Sequence, residues 1–112
     1  MRIASLILIS IFLIAGSGYA HPPSDIEASY DKDKNVLSIS IIHPVRNPEK
    51  HFVDNVKVLK NGNIISDETF TSQTTNNVQS IEIESLNLQS GDEIIIESEC
   101  NIHGKIKKLI AL

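Results

Sequence analysis

The sequence predicts an all-β fold over residues 21–112, an immunoglobulin-like antiparallel β-sandwich of about seven strands. Two observations carry this. Apolar residues recur at every second position, the period of a half-buried strand, and nowhere in that range at helical spacing. The alternating segments are short and parted by turn residues at a spacing of roughly 8–12 residues, as in sandwiches of this size.

Taken in order, Ile26, Ala28 and Tyr30 alternate with polar residues, and residues 31–35 form a polar turn. Val36–Ile42 follows, with Leu37, Ile39 and Ile41 on one face and Ser38 and Ser40 on the other. Pro44 and Pro48 break the chain into a loop over 43–51. Residues 52–60 read as a third strand in which Val56 and Val58 flank Lys57. Asn61-Gly62 is the strongest hairpin signal in the chain, because both residue types tolerate the positive φ of a type I′ turn. Residues 63–66 pair back across it, 69–71 continue that strand, and 72–77 are turn-like. Val78–Glu84 alternates through Ile81 and Ile83, Ser90-Gly91-Asp92 turns the chain, and 93–100 carries Ile94 and Ile96 on one face. Gly104 closes that unit, and 105–112 is a last strand closing on Ile106, Leu109 and Ile110.

The first 20 residues differ from the rest. Arg2 is followed by an apolar run from about Ile3 to Ala15 and then by small residues, Gly18-Tyr19-Ala20 forming a small-x-small cleavage site. Residues 1–20 therefore read as a secretory signal peptide cut after Ala20, leaving 21–112 as a single periplasmic or secreted domain. The competing reading, an uncleaved membrane anchor, wants ~20 apolar residues, and this run is shorter. No cysteine stands at the cleavage point to carry a lipid. The formal net charge is -4, and Arg2 is the only charged residue of the leader, so the remainder is more acidic still. That balance argues against nucleic acid or an anionic membrane as partner.

The chain has one cysteine, Cys100, which excludes an intrachain disulfide. An odd cysteine in an exported protein is a partner-seeking thiol, a buried apolar residue or a ligand. The chain also has four histidines, His21, His43, His51 and His103. Imidazole and thiolate are ligands that suit iron, zinc and copper. Cys100-x-x-His103 lies at a bend, His43 and His51 bracket one proline-stiffened loop, and His21 stands at the new N-terminus. All five fall at strand ends or in bends, where sites are built on rigid scaffolds. The distribution favours one metal site.

Cys100-Asn101-Ile102-His103-Gly104 resembles the Cys-Asn-x-His-Gly signature of superoxide reductases, the neelaredoxin and desulfoferrodoxin iron domain. His21-Pro22-Pro23 is similar to that family's early His-x-Pro, and His43-Pro44 with His51 to its His-Pro…His loop. The resemblance implies a β-sandwich holding one mononuclear non-haem iron by His21, His43, His51 and His103, with Cys100 as axial thiolate. It implies one-electron reduction of superoxide to hydrogen peroxide, with electrons from an unidentified donor. A lysine of a Glu-Lys pair helps attract superoxide in the family. In the family that pair stands just before the first histidine; here Ala20 precedes His21 and Glu49-Lys50 precedes His51 instead, which makes Lys50 the candidate for that role. Arg46 and Lys105 are the other basic residues nearest the ligands. The cysteine-rich rubredoxin-like part of desulfoferrodoxins is absent from this sequence.

Two other readings stay open at this level. In one the protein is a non-catalytic periplasmic metal binder, in which the α-amino group and imidazole of His21 chelate copper or iron. In the other it is an Ig-like interaction module whose histidines are incidental.

Overall fold

The computed structural model describes residues 21–112. The leader assigned to residues 1–20 lies outside the described residues. Seven strands run through them: β1 (Asp25–Asp31), β2 (Val36–Ile42), β3 (Val53–Lys60), β4 (Asn63–Thr69), β5 (Val78–Glu84), β6 (Ile94–Cys100) and β7 (Lys105–Ile110). They form two antiparallel sheets, β1-β2-β5 and β4-β3-β6-β7, as the alternation predicts.

The core is the period-two pattern folded face to face. Ile26, Leu37, Ile39, Ile41 and Ile81 of the first sheet meet Val53, Val56, Val58, Ile94 and Ile96 of the second, all nearly or fully buried. Leu88, from the β5–β6 connection, fills the far end. Burial of this kind supplies most of the folding free energy, at about 1.5–3 kcal/mol per large aliphatic side chain. In β3 the inward row is Val53, Val56, Val58, which breaks strict alternation. A bulge explains it: Val53 pairs with Cys100 and Asn55 with Glu99, so Asp54 is one residue extra.

Asn61 and Gly62 have φ of 50° and 90°, the left-handed pair that a two-residue hairpin requires. The β4 strand runs unbroken to Thr69, and β7 ends at Ile110. One core expectation is corrected. Leu109 does not close the core with Ile106 and Ile110 but is 62% exposed. In a strand only alternate side chains share a face, so Ile106 and Ile110 pack inward while Leu109 points out.

Antiparallel order decides where the connections go. Asp25 pairs with Ile42, Ile42 with Val78, and Val53 with Cys100. The segment entering β1 and the β2–β3, β4–β5 and β6–β7 connections therefore all lie at one pole. His21, His43, His51, Cys100 and His103 sit in those segments. The other pole carries the Asn61-Gly62 turn and an amide pair in which Asn35 Nδ2 donates to Asn87 Oδ1 at 2.7 Å.

Candidate metal centre

Three of the ligand candidates continue the inward-facing rows of the sandwich. His43 follows Leu37, Ile39 and Ile41 at the next even step, His51 precedes Val53 by two, and Cys100 follows Ile94, Ile96 and Ser98. The rows that are apolar in the middle of the sandwich thus end, at this pole, in side chains of the types that can ligate a metal. His43 is fully buried, Cys100 is 4% exposed and His51 is half-buried.

His21 reaches the same point from the N-terminal arm. Pro23 is fully buried, and Ser24 N–H donates to the Ile42 carbonyl at 2.7 Å, tying the arm to the end of β2. Pro22 lies against Gly104, where an added Cβ would stand 2.9 Å from the Pro22 Cβ. Gly104 also has φ of 86°, so both its backbone and the arm's approach require glycine.

The result is a triangle of imidazoles. Ring centroids are 5.2 Å apart for His21–His43, 5.2 Å for His21–His51 and 4.8 Å for His43–His51. One nitrogen from each lies within 4.8 Å of the others. The Cys100 thiol joins from the side, its Sγ 3.2 Å from His51 Nε2. Ile102 N–H points at the same sulfur at 3.4 Å. Burial, followed by the charges of His43 and His21, holds the His51 imidazole below its ordinary value of 6.5. A depressed imidazole stays neutral, the form that ligates a metal.

His103 is placed differently. It is exposed on the bend after Cys100, outside the three-histidine group. Arg46 and Lys50 are also exposed, Lys50 on the turn beside His51, where Asn47 accepts from the Lys50 and His51 amides. Lys105 stands 3.6 Å from Glu97 as a surface ion pair.

Two residues that the sequence reading did not single out organise the pole. Asn101 grips both neighbours of His51. It accepts from Phe52 N–H at 2.8 Å, donates its amide N–H to the Lys50 carbonyl at 3.0 Å, and its backbone N–H donates to the Phe52 carbonyl at 3.0 Å. Gln73, on the β4–β5 connection, is 6% exposed and bonds to His43, Val53 and Thr75. Asparagine at Cys+1 was visible as part of a motif. Gln73 stood in a polar run with no spacing signal.

Imidazoles are donors of the kind that bind iron, zinc or copper, and three of them within 4.8 Å could hold one ion, with the Cys100 thiol beside His51 but outside the three-histidine group. Fold and site together define the protein as an Ig-like β-sandwich with a histidine cluster at one pole that could bind a metal ion. No family model and no curated protein matches this sequence. Among solved structures it is similar to the crystal structure of a hypothetical protein from Pyrococcus horikoshii OT3. The TM-score is 0.53 at 13% identity, over 86% of this chain and 92% of that one, a likeness of fold.

Proposed function

We propose that this protein is an exported mononuclear non-haem iron protein that reduces superoxide to hydrogen peroxide. The observation that carries the proposal is the meeting of His21, His43 and His51 within 4.8 Å, with the Cys100 sulfur 3.2 Å from His51 Nε2. A thiolate added to several imidazoles suits iron, zinc or copper, and the choice of iron follows the resemblance of residues 100–104 to the superoxide reductase signature. His103 is the fourth imidazole of this reading, recruited from the exposed bend next to Cys100.

Ferrous iron, when bound, supplies the one electron that superoxide needs, and an external donor restores it. The chain's own residues do the rest. Neutral imidazoles would bind through their lone-pair nitrogens, and Cys100 would give up its thiol proton to become a ligand. Thiolate ligation pushes electron density onto a metal, the lever known from thiolate-ligated haem. Ile102 N–H moderates that push by partly neutralising the sulfur. Arg46 and Lys50 supply positive charge against an acidic surface, so that a small anion is drawn to this pole. Two protons from water complete hydrogen peroxide.

The test is metal analysis and spectroscopy of the protein purified after export from the full chain. One iron per chain, a ferric thiolate absorption band that disappears in Cys100→Ser, and superoxide reduction faster than by free iron support the proposal. Iron with slow turnover leaves only a metal-binding protein. Copper held through the N-terminal amine of His21, and lost when the terminus is extended, replaces the iron reading with a copper one. Absence of any bound metal together with indifference to chelator overturns both. If His103→Ala keeps full iron affinity, the ligand set reduces to three histidines and Cys100.

A further inference from the structure

Gln73 is buried beside His43, and its hydrogen bonds decide a question of proton placement. Its Nε2 donates to two carbonyls, those of His43 at 2.8 Å and Thr75 at 3.0 Å. Its Oε1 faces Val53 N–H at 3.1 Å and His43 Nδ1 at 2.8 Å. A carbonyl only accepts and a backbone amide only donates, so the backbone leaves the Gln73 amide one orientation. An oxygen held there can only accept. His43 Nδ1 must therefore carry a proton, and in the neutral ring Nε2 bears the lone pair.

One longer contact pulls the other way. The His21 carbonyl oxygen lies 3.4 Å from His43 Nε2. An Nε2–H would donate across that gap, but the shorter contact of His43 Nδ1 with Gln73 Oε1, at 2.8 Å, outweighs it.

We propose that Gln73 is a positioning residue that locks His43 in the Nδ1–H tautomer and presents the Nε2 lone pair to the cluster before any metal arrives. This deepens the metal-binding reading and depends on it only for the effect on affinity. Imidazole ligands characteristically donate their second ring nitrogen's proton to a neighbouring carbonyl or carboxylate, which fixes tautomer and orientation. Here a glutamine 30 residues away in sequence takes that part. The His21 ring is set in a similar way, with Nδ1 3.0 Å from the Pro22 carbonyl.

The experiment is two-bond 1H–15N correlation NMR of the histidines in metal-free protein, at a pH where the imidazoles are neutral, followed by Zn2+ titration against a chromophoric chelator. Wild-type His43 should give the Nδ1–H pattern. Gln73→Leu should shift it toward Nε2–H and weaken Zn2+ binding by about 10- to 100-fold, the usual cost of removing such a partner. Gln73→Glu, which keeps an acceptor for Nδ1–H, should restore the wild-type tautomer. An Nε2–H pattern in the wild type overturns the proposal even if the variants fail to fold. So does a Gln73→Leu protein whose His43 pattern is unchanged. Wild-type protein with the expected tautomer but no Zn2+ or iron affinity removes the metal reading and leaves the Gln73 assignment standing.

Discussion

At the scale of residues, the site depends on a few side chains whose loss has separable signatures. Cys100 is buried with its thiol against His51 Nε2. Cys100→Ser should keep the fold, changing metal-free stability by no more than about 1 kcal/mol, since a hydroxyl can still donate to that nitrogen. The sulfur-to-metal absorption band should vanish outright, and an absorption spectrum of the iron-loaded variant checks this. His51 gives a pH signature. Its folded pKa lies below the ordinary 6.5, because burial and then His43 and His21 disfavour the charged ring. Above 6.5 the ring is neutral whether folded or not, and its contribution is complete. As pH falls below 6.5 the unfolded chain takes up the proton first, so stability declines toward acid. Thermal melts of the metal-free protein should show that decline, and His51→Gln should flatten it.

At the scale of elements, the two poles use glycine for different reasons, and one comparison separates them. Gly62 and Gly104 have nearly the same φ, 90° and 86°. A Cβ on Gly62 meets nothing within 4 Å, whereas one on Gly104 meets Pro22 at 2.9 Å. Gly62→Ala should therefore cost only the backbone strain, about 1 kcal/mol. Gly104→Ala should cost more, up to about 3 kcal/mol, as strain adds to displacement of the arm that carries His21. Urea denaturation of the two variants tests the difference in stability. Metal titration tests its consequence, since only Gly104→Ala should weaken binding. The hairpin glycine was legible because Asn-Gly is a local signal. The Pro22–Gly104 contact was not, because it joins the ends of the domain and no local pattern records it.

At the scale of the whole molecule, the sandwich core and the polar cluster are distinct sources of stability. A ligand that binds only the folded state stabilises it by about 2.7 kcal/mol at a hundredfold excess over its dissociation constant. Added iron should accordingly raise the melting temperature of the wild type, chelator should reverse this, and Cys100→Ser should shrink the rise. Ile96→Ala, in the middle of the core, should cost about 2–5 kcal/mol with or without metal. Calorimetry of both variants under both conditions checks that the two effects add. Strong non-additivity would mean that the cluster and core share one adjustable packing.

The sequence by itself determined the class of fold, the strands and the pole. Period-two alternation is a local property, and it marks which residues face inward: Leu37, Ile39 and Ile41 lie where their spacing puts them. It even held more than was drawn from it, since His43 and Cys100 continue those inward rows, and antiparallel order alone sends the connections that carry all four histidines to one end. Leu109 was misjudged by counting its hydrophobicity before its parity. Tertiary structure decided what the spacing of one chain cannot encode. It put Gln73 against His43, laid Asn101 across both neighbours of His51, and joined Pro22 to Gly104. It also left both Cys100 and His103 outside the three-histidine group, with only the Cys100 sulfur against His51, although Cys-x-x-His spacing had suggested a shared ion. The reason is physical. A strand constrains side chains two residues apart, but a hydrogen bond between residues 30 apart exists only once two sheets have closed and brought their loops together.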